Sequence, residues 1–177
     1  EFYRYDAVGN LTDRTNFNGR VIHQYFDARD RLWKRTERLA DSEEVLAEFT
    51  YTATGRRATQ WDASGPTTYA YDDWDRLKVR DKPGWGRLEY GYSADGRVAT
   101  TDVDTGEKWW QLRYRYDELG RMIEASIPTL GIGAVYSYDA SGLLSETRYA
   151  NGVTNAFRYD SRHRLRQLLW GGDGQEY

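Results

Sequence analysis

Hydrophobic and polar positions alternate in short bursts along the whole chain. Tyr3 and Tyr5 stand two apart with Arg4 between them, so both rings fall on one face of a strand and the guanidinium on the other. The spacing returns at Tyr69/Tyr71, Tyr90/Tyr92, Tyr114/Tyr116, Tyr136/Tyr138 and Phe157/Tyr159. A helix does not bring i and i+2 together. Each burst runs into a turn signature such as Asp6-Ala7-Val8-Gly9, with aspartate at the first position of a type I turn and glycine at the fourth. The pattern predicts strand, turn, strand, turn throughout, giving about sixteen short strands and no convincing helix.

The bursts form a repeat. The Tyr5 position returns as Phe26, Tyr51, Tyr71, Tyr92, Tyr116, Tyr138 and Tyr159, at steps of 21, 25, 20, 21, 24, 22 and 21 residues. Steps that short mark one supersecondary unit, repeated about eight times as a single array over residues 1–177. Gly9, Gly55, Gly96, Gly120 and Gly142 share one turn position, which Asp30, Asp75 and His163 take in other copies. Asp and His tolerate the left-handed region better than most residues. A three-residue loop closed by a bulge would pair Tyr5 with Leu11, Tyr71 with Leu77 and Tyr116 with Met122. On the opposite face it would pair Asp27 with Arg31, Asp72 with Arg76, Asp117 with Arg121 and Asp160 with Arg164.

Between hairpins, Asn18-Gly19 and Asn151-Gly152 predict type I′ turns, and Pro83-Gly84 predicts the centre of a type II turn. Leu39 to Val45 predicts either one short helical turn or a solvated loop. The fold class that follows is all-β: repeated antiparallel hairpins forming a long curved or spiralling sheet, since open twisted sheets rarely exceed ~10 strands without curling. The chain opens and closes within repeat motifs, so it is expected to be a fragment of a longer protein, with raw edges open to self-association.

Composition narrows the function. Tyr 15 and Trp 7 let one sheet face be covered by large aromatics while the other stays wet. A net charge of −3 with interspersed signs gives no steering toward nucleic acid. No segment is long and apolar enough for a membrane-spanning helix. The chain has no cysteine, which excludes disulfides and Cys₄ zinc sites.

Candidate chemistry is sparse. His23 reads as an ordinary surface or edge residue and His163 as a turn residue, with no triad spacing, Walker loop or HExxH beside them. Asp6, Asp72 and Asp117 read as turn caps rather than general acids. Asp102 to Glu107 alternates oxygen ligands around a glycine but lacks the position-12 ligand of an EF-hand, so it reads as a hairpin turn. No catalytic group, metal or cofactor is expected. Trp74, Trp85, Trp109 and Trp110 are the candidate ligand-binding residues, because exposed aromatic faces beside polar groups can bind sugars or a protein partner. Trp109 and Trp110 should point to opposite faces of their strand.

Tyr116-Asp117-Glu118-Leu119-Gly120-Arg121-Met122, Tyr71-Asp72-Asp73-Trp74-Asp75-Arg76-Leu77 and Tyr5-Asp6-Ala7-Val8-Gly9-Asn10-Leu11 resemble the YD-repeat, or Rhs-repeat, family. Known members are bacterial polymorphic toxins, the cocoon-forming subunits of insecticidal toxin complexes, and teneurins. The resemblance implies a piece of the wall of a hollow β-shell that encloses a toxin or other C-terminal passenger. It implies no catalysis by the repeats, a secreted or cell-surface location, and the rest of an Rhs-type parent or its passenger as partner. An extracellular adhesion or carbohydrate-binding module using exposed aromatics is the alternative.

Overall fold

A computed structural model describes residues 1–39, 41–172 and 175–176. The protein is all-β as expected, with seventeen strands among the described residues, in line with the expected sixteen or so. It divides into two compact units, Glu1–Arg87 and Leu88–Tyr177. The first holds β1 (Phe2–Tyr5), β2 (Leu11–Thr15), β3 (Val21–Phe26), β4 (Leu32–Arg38), β5 (Glu43–Tyr51), β6 (Arg57–Asp62), β7 (Gly65–Tyr71) and β8 (Leu77–Lys82). The second holds most of β9 (Gly86–Tyr92), then β10 (Val98–Asp104), β11 (Trp109–Tyr116), β12 (Met122–Ile127), β13 (Ile132–Tyr138), β14 (Leu144–Tyr149), β15 (Thr154–Tyr159), β16 (Leu165–Gly172) and β17 (Gln175–Glu176). Within each unit every strand pairs antiparallel with the next in chain order.

The expected register holds. Tyr5 opposes Leu11, Phe26 opposes Leu32, Tyr71 opposes Leu77, Tyr116 opposes Met122, Tyr138 opposes Leu144 and Tyr159 opposes Leu165, each beside a bulge. Tyr51 opposes Arg57 instead of an apolar residue. The turn aspartate organises each loop. Asp117 Oδ1 accepts from the backbone N–H of Leu119 and Arg121 at 3.0 and 2.9 Å, while the Gly120 N–H donates to the Asp117 carbonyl at 2.9 Å. Gly120 has φ +79°, and Asp30, Asp75 and His163 hold φ of 56°, 62° and 61° at the equivalent position.

Two turn expectations fail in an instructive way. At Asn18-Gly19 and Asn151-Gly152 only the glycine has positive φ, whereas a type I′ turn needs both residues there. Asn16 instead copies the aspartate, its Oδ1 accepting from Asn18 and Arg20 N–H at 3.0 Å each, and closes a three-residue loop. Tyr149 to Val153 has the same backbone closure. Lys82-Pro83-Gly84-Trp85 closes with Trp85 N–H on the Lys82 carbonyl at 2.9 Å and Gly84 at φ +78°, as a type II turn requires. Leu39 to Val45 forms no helical turn among the described residues. Leu39 N–H bonds the Ser42 carbonyl at 2.9 Å and β5 already begins at Glu43, while Ala40 lies outside the described residues. The looser link after β12 contains the one 3-10 turn among them, Pro128–Leu130.

Among the described residues, only Ala47, Phe49 and Ala134 are buried apolar side chains. Burial against a second layer is therefore not what ties one hairpin to the next. Backbone pairing of one hairpin's last strand with the next hairpin's first strand does part of it, and side chains lying along the sheet add to it.

Candidate functional site

The recurring feature is a spine of tyrosine, aspartate and arginine that links consecutive repeats. Tyr51, Tyr71, Tyr116, Tyr138 and Tyr159 donate their hydroxyls to the carbonyls of Leu32, Arg57, Val98, Met122 and Leu144, at 2.5, 2.8, 3.0, 2.7 and 2.9 Å. Every acceptor lies one repeat earlier, at the start of a returning strand. Such a bond satisfies a backbone group that one hairpin leaves open with a side chain from the next. Phe26 has no hydroxyl to offer. Tyr92 closes β9, and Gly96 takes the turn conformation with φ +86°.

Arginine supplies the second tie. Asp27–Arg31, Asp72–Arg76, Asp117–Arg121 and Asp160–Arg164 are ion pairs of 2.7, 2.7, 2.7 and 2.8 Å within their own hairpins. Arg31, Arg97 and Arg121 also lie over the ring of the next repeat's tyrosine, with Arg31 4.4 Å from the Tyr51 centroid, Arg97 5.7 Å from Tyr116 and Arg121 4.5 Å from Tyr138. The aspartate fixes the position of the guanidinium, and the ring then lies within reach of its charge.

The turn glycine completes the junction. A Cβ at Gly120 would overlap the Arg97 guanidinium, and one at Gly55 or Gly142 would touch Arg31 or Arg121. These glycines therefore supply positive φ and also leave room for the preceding repeat's arginine. Where aspartate takes the position, it binds the preceding repeat instead. Asp75 accepts from Arg56 Nε and Thr54 Oγ1 at 2.8 Å each, and Asp30 accepts from Asn10 Nδ2 at 3.2 Å. Before His163 the preceding residue is Leu143, and a cleft of about 400 Å³ opens there, lined by Asp139, Leu143, Tyr159, Asp160 and His163 among others.

These contacts set the carboxylates. The hydrogen bond from Arg31, helped by backbone N–H groups of Arg31 and Arg29, lowers the Asp27 carboxyl from 3.8 to about 2. Arg56 and Thr54 lower Asp75, and the backbone and side chain of Arg164 lower Asp160. The fold favours the ionised forms, so this stability is present above the ordinary carboxylate value and is lost as pH falls through the lowered one. The urea midpoint of unfolding should stay level near neutrality and fall between roughly pH 4 and pH 2. Asp27→Asn should flatten part of that fall. An acid limb of unchanged steepness in the variant would contradict the assignment.

The candidate ligand residues do not converge. Trp74 sits in the β7–β8 turn and is 77% exposed, with the Arg76 guanidinium 4.8 Å from its ring centroid. Trp85 ends the β8–β9 turn and is 71% exposed. The whole of β8 separates the two, about 20 Å of extended chain. Trp109 opposes Asp104 and Trp110 opposes Val103, on opposite faces. His23 is not a plain surface residue. It is half-buried, its Nδ1 bonds Asp13 Oδ1, and Thr36 and Tyr25 nearby both donate to Glu43 Oε1, the Tyr25 bond at 2.8 Å. Asp104 Oδ1 caps Gly106 N–H at 2.7 Å and Asp102 accepts from Gln111 at 2.9 Å, the geometry of a hairpin turn. Among the described residues no group of three or more His, Cys, Asp or Glu side chains could hold a metal ion. Among the described residues no helix is long and apolar enough to cross a membrane.

The sequence carried one signal for the missed ties. Tyrosine rather than phenylalanine fills seven of the eight equivalent positions, which is more than an apolar layer needs and is explained by a hydroxyl with a fixed acceptor.

The repeated-hairpin sheet is shared with solved toxin-complex structures. The crystal structure of TcdB2-TccC3-TEV superposes with a TM-score of 0.76 at 12% identity, covering 97% of this chain and 10% of that one. TcdB2-TccC3 without its hypervariable C-terminal region gives 0.76 at 19% identity, covering 93% and 10%. The Photorhabdus luminescens Tc holotoxin pore gives 0.70 at 17% identity, covering 98% and 12%. This chain therefore shares the fold of a part of those chains and spans about a tenth of each of them. No protein-family model matches it, and no curated protein matches it by sequence.

Proposed function

We propose that this chain is a YD-repeat wall segment: a non-catalytic piece of a β-shell that encloses a toxin or other C-terminal passenger in a secreted or cell-surface protein. The observation that carries the reading is the inter-repeat spine. The chain's most regular polar chemistry is used to fasten one hairpin to the next, and this is what a wall needs. The likeness to TcdB2-TccC3 chains supports the same reading.

The test is limited proteolysis of the longest natural polypeptide that contains this segment. The domain following the repeats should survive while the repeats are intact and be degraded once they are cut. Degradation at the same rate with the repeats intact would overturn the proposal. The exposure of Trp74 favours a second reading, a glycan-binding surface. A glycan array separates the two: competable binding lost in Trp74→Ala would favour recognition over enclosure.

A further inference from the structure

One internal junction departs from the others. Asp27, Asp72, Asp117 and Asp160 each hold an arginine through Oδ2, whereas Asp139 has Leu143 at that position. The turn itself is kept, since Asp139 Oδ1 accepts from the Ser141 and Leu143 N–H groups at 2.9 and 3.0 Å. Its Oδ2 has no partner among the described residues. The ring across the junction is also in place, because Tyr159 is fixed by its 2.9 Å bond to the Leu144 carbonyl. Arg31, Arg97 and Arg121 lie over Tyr51, Tyr116 and Tyr138, but among the described residues no cation lies over Tyr159.

Leucine is shorter than arginine and brings no side-chain donor. The cleft of about 400 Å³ opens where the guanidinium would otherwise lie, and Asp139, Leu143 and Tyr159 all line it. That volume is in the range of small-molecule sites. The other charged groups on its wall are engaged or stand apart. Asp160 pairs with Arg164 at 2.8 Å, and the Arg158 guanidinium donates to the Phe157 carbonyl at 3.3 Å. His163 is exposed at the turn position, with φ 61°. The cleft therefore offers one unpaired carboxylate, one aromatic ring and an apolar leucine side chain. That set suits a planar cation on an alkyl stem.

We propose that this cleft is a binding site for a guanidinium group supplied from outside the chain, such as an arginine side chain. Asp139 Oδ2 accepts from the guanidinium, the Tyr159 ring lies against its charge, and Leu143 packs on the methylene stem. The ligand takes the place that Arg121 holds over Tyr138 one repeat earlier. A lysine side chain binds less well, because its ammonium is a compact, strongly hydrated charge that cannot stack as a plane. The proposal is independent of whether the natural shell holds a passenger.

Titration of the 15N-labelled chain with N-acetyl-arginine amide, followed by amide resonances, tests it. The signals of Leu143, Tyr159 and His163 should move and saturate, with a Kd of about 1–10 mM. N-acetyl-citrulline amide, of the same shape without the charge, should leave them still. Asp139→Asn should weaken binding at least ~10-fold. Its fold should persist, since Asn16 caps the same kind of loop through Oδ1. Leu143→Arg, which supplies the guanidinium from within, should abolish binding and raise the urea midpoint. Free arginine distinguishes the source: weaker binding than the blocked form marks a polypeptide, and tighter binding marks the amino acid, each upholding the site. No saturable shift, equal shifts with the citrulline compound, or undiminished binding in both variants would overturn the proposal.

Discussion

Replacing Tyr116 by alanine is expected to destabilise the second unit by about 2–4 kcal/mol. Three losses add there: the half-buried ring, the 3.0 Å bond to the Val98 carbonyl and the face on which Arg97 rests. Truncating a fully buried aromatic costs about 3–5 kcal/mol, and partial exposure lowers the figure. Tyr116→Phe keeps ring and stacking and should lose about 1 kcal/mol, the worth of one hydrogen bond. Urea unfolding of the three proteins gives both differences. An alanine variant within 0.5 kcal/mol of wild type, on the order of a neutral surface change, would remove the tyrosine from the account.

Gly120→Ala is expected to cost about 2–3 kcal/mol, more than Gly9→Ala at about 1–2 kcal/mol. Both glycines hold positive φ, 79° and 94°, so both alanines bear left-handed strain. Only at Gly120 does the new methyl also displace an arginine from the preceding repeat. The difference between the two variants isolates that share. Equal losses at both positions would show that the glycine serves its own turn alone.

Alternation and turn spacing were legible because each is a local property with a short period. The pairing of Tyr71 with Leu77 and of Asp72 with Arg76 follows from loop length alone. Asn-Gly is a two-residue signal, whereas the loop at Asn18 is set by a side chain two residues earlier, at Asn16, and the loop at Asn151 closes through the backbone of Tyr149 and Val153. Ties between repeats were hidden for a different reason. The acceptors of the tyrosine hydroxyls are backbone carbonyls, which leave no mark in the sequence, and they lie 14 to 19 residues away. The ties through Asp75 were visible only as a missing glycine. The position of His23 in a strand before Gln24 and Tyr25 does not mark its bond to Asp13, which lies ten residues away on the adjacent strand.

A double-mutant cycle between Arg121 and Tyr138 tests the central claim most directly. The guanidinium lies 4.5 Å from the ring centroid, and the two residues belong to consecutive repeats. Unfolding free energies of Arg121→Gln, Tyr138→Leu and the double variant should give a coupling of about 0.5–2 kcal/mol, with the double variant losing less than the sum of the singles. Strict additivity would mean that neighbouring hairpins do not recognise one another through these side chains, and would contradict the account.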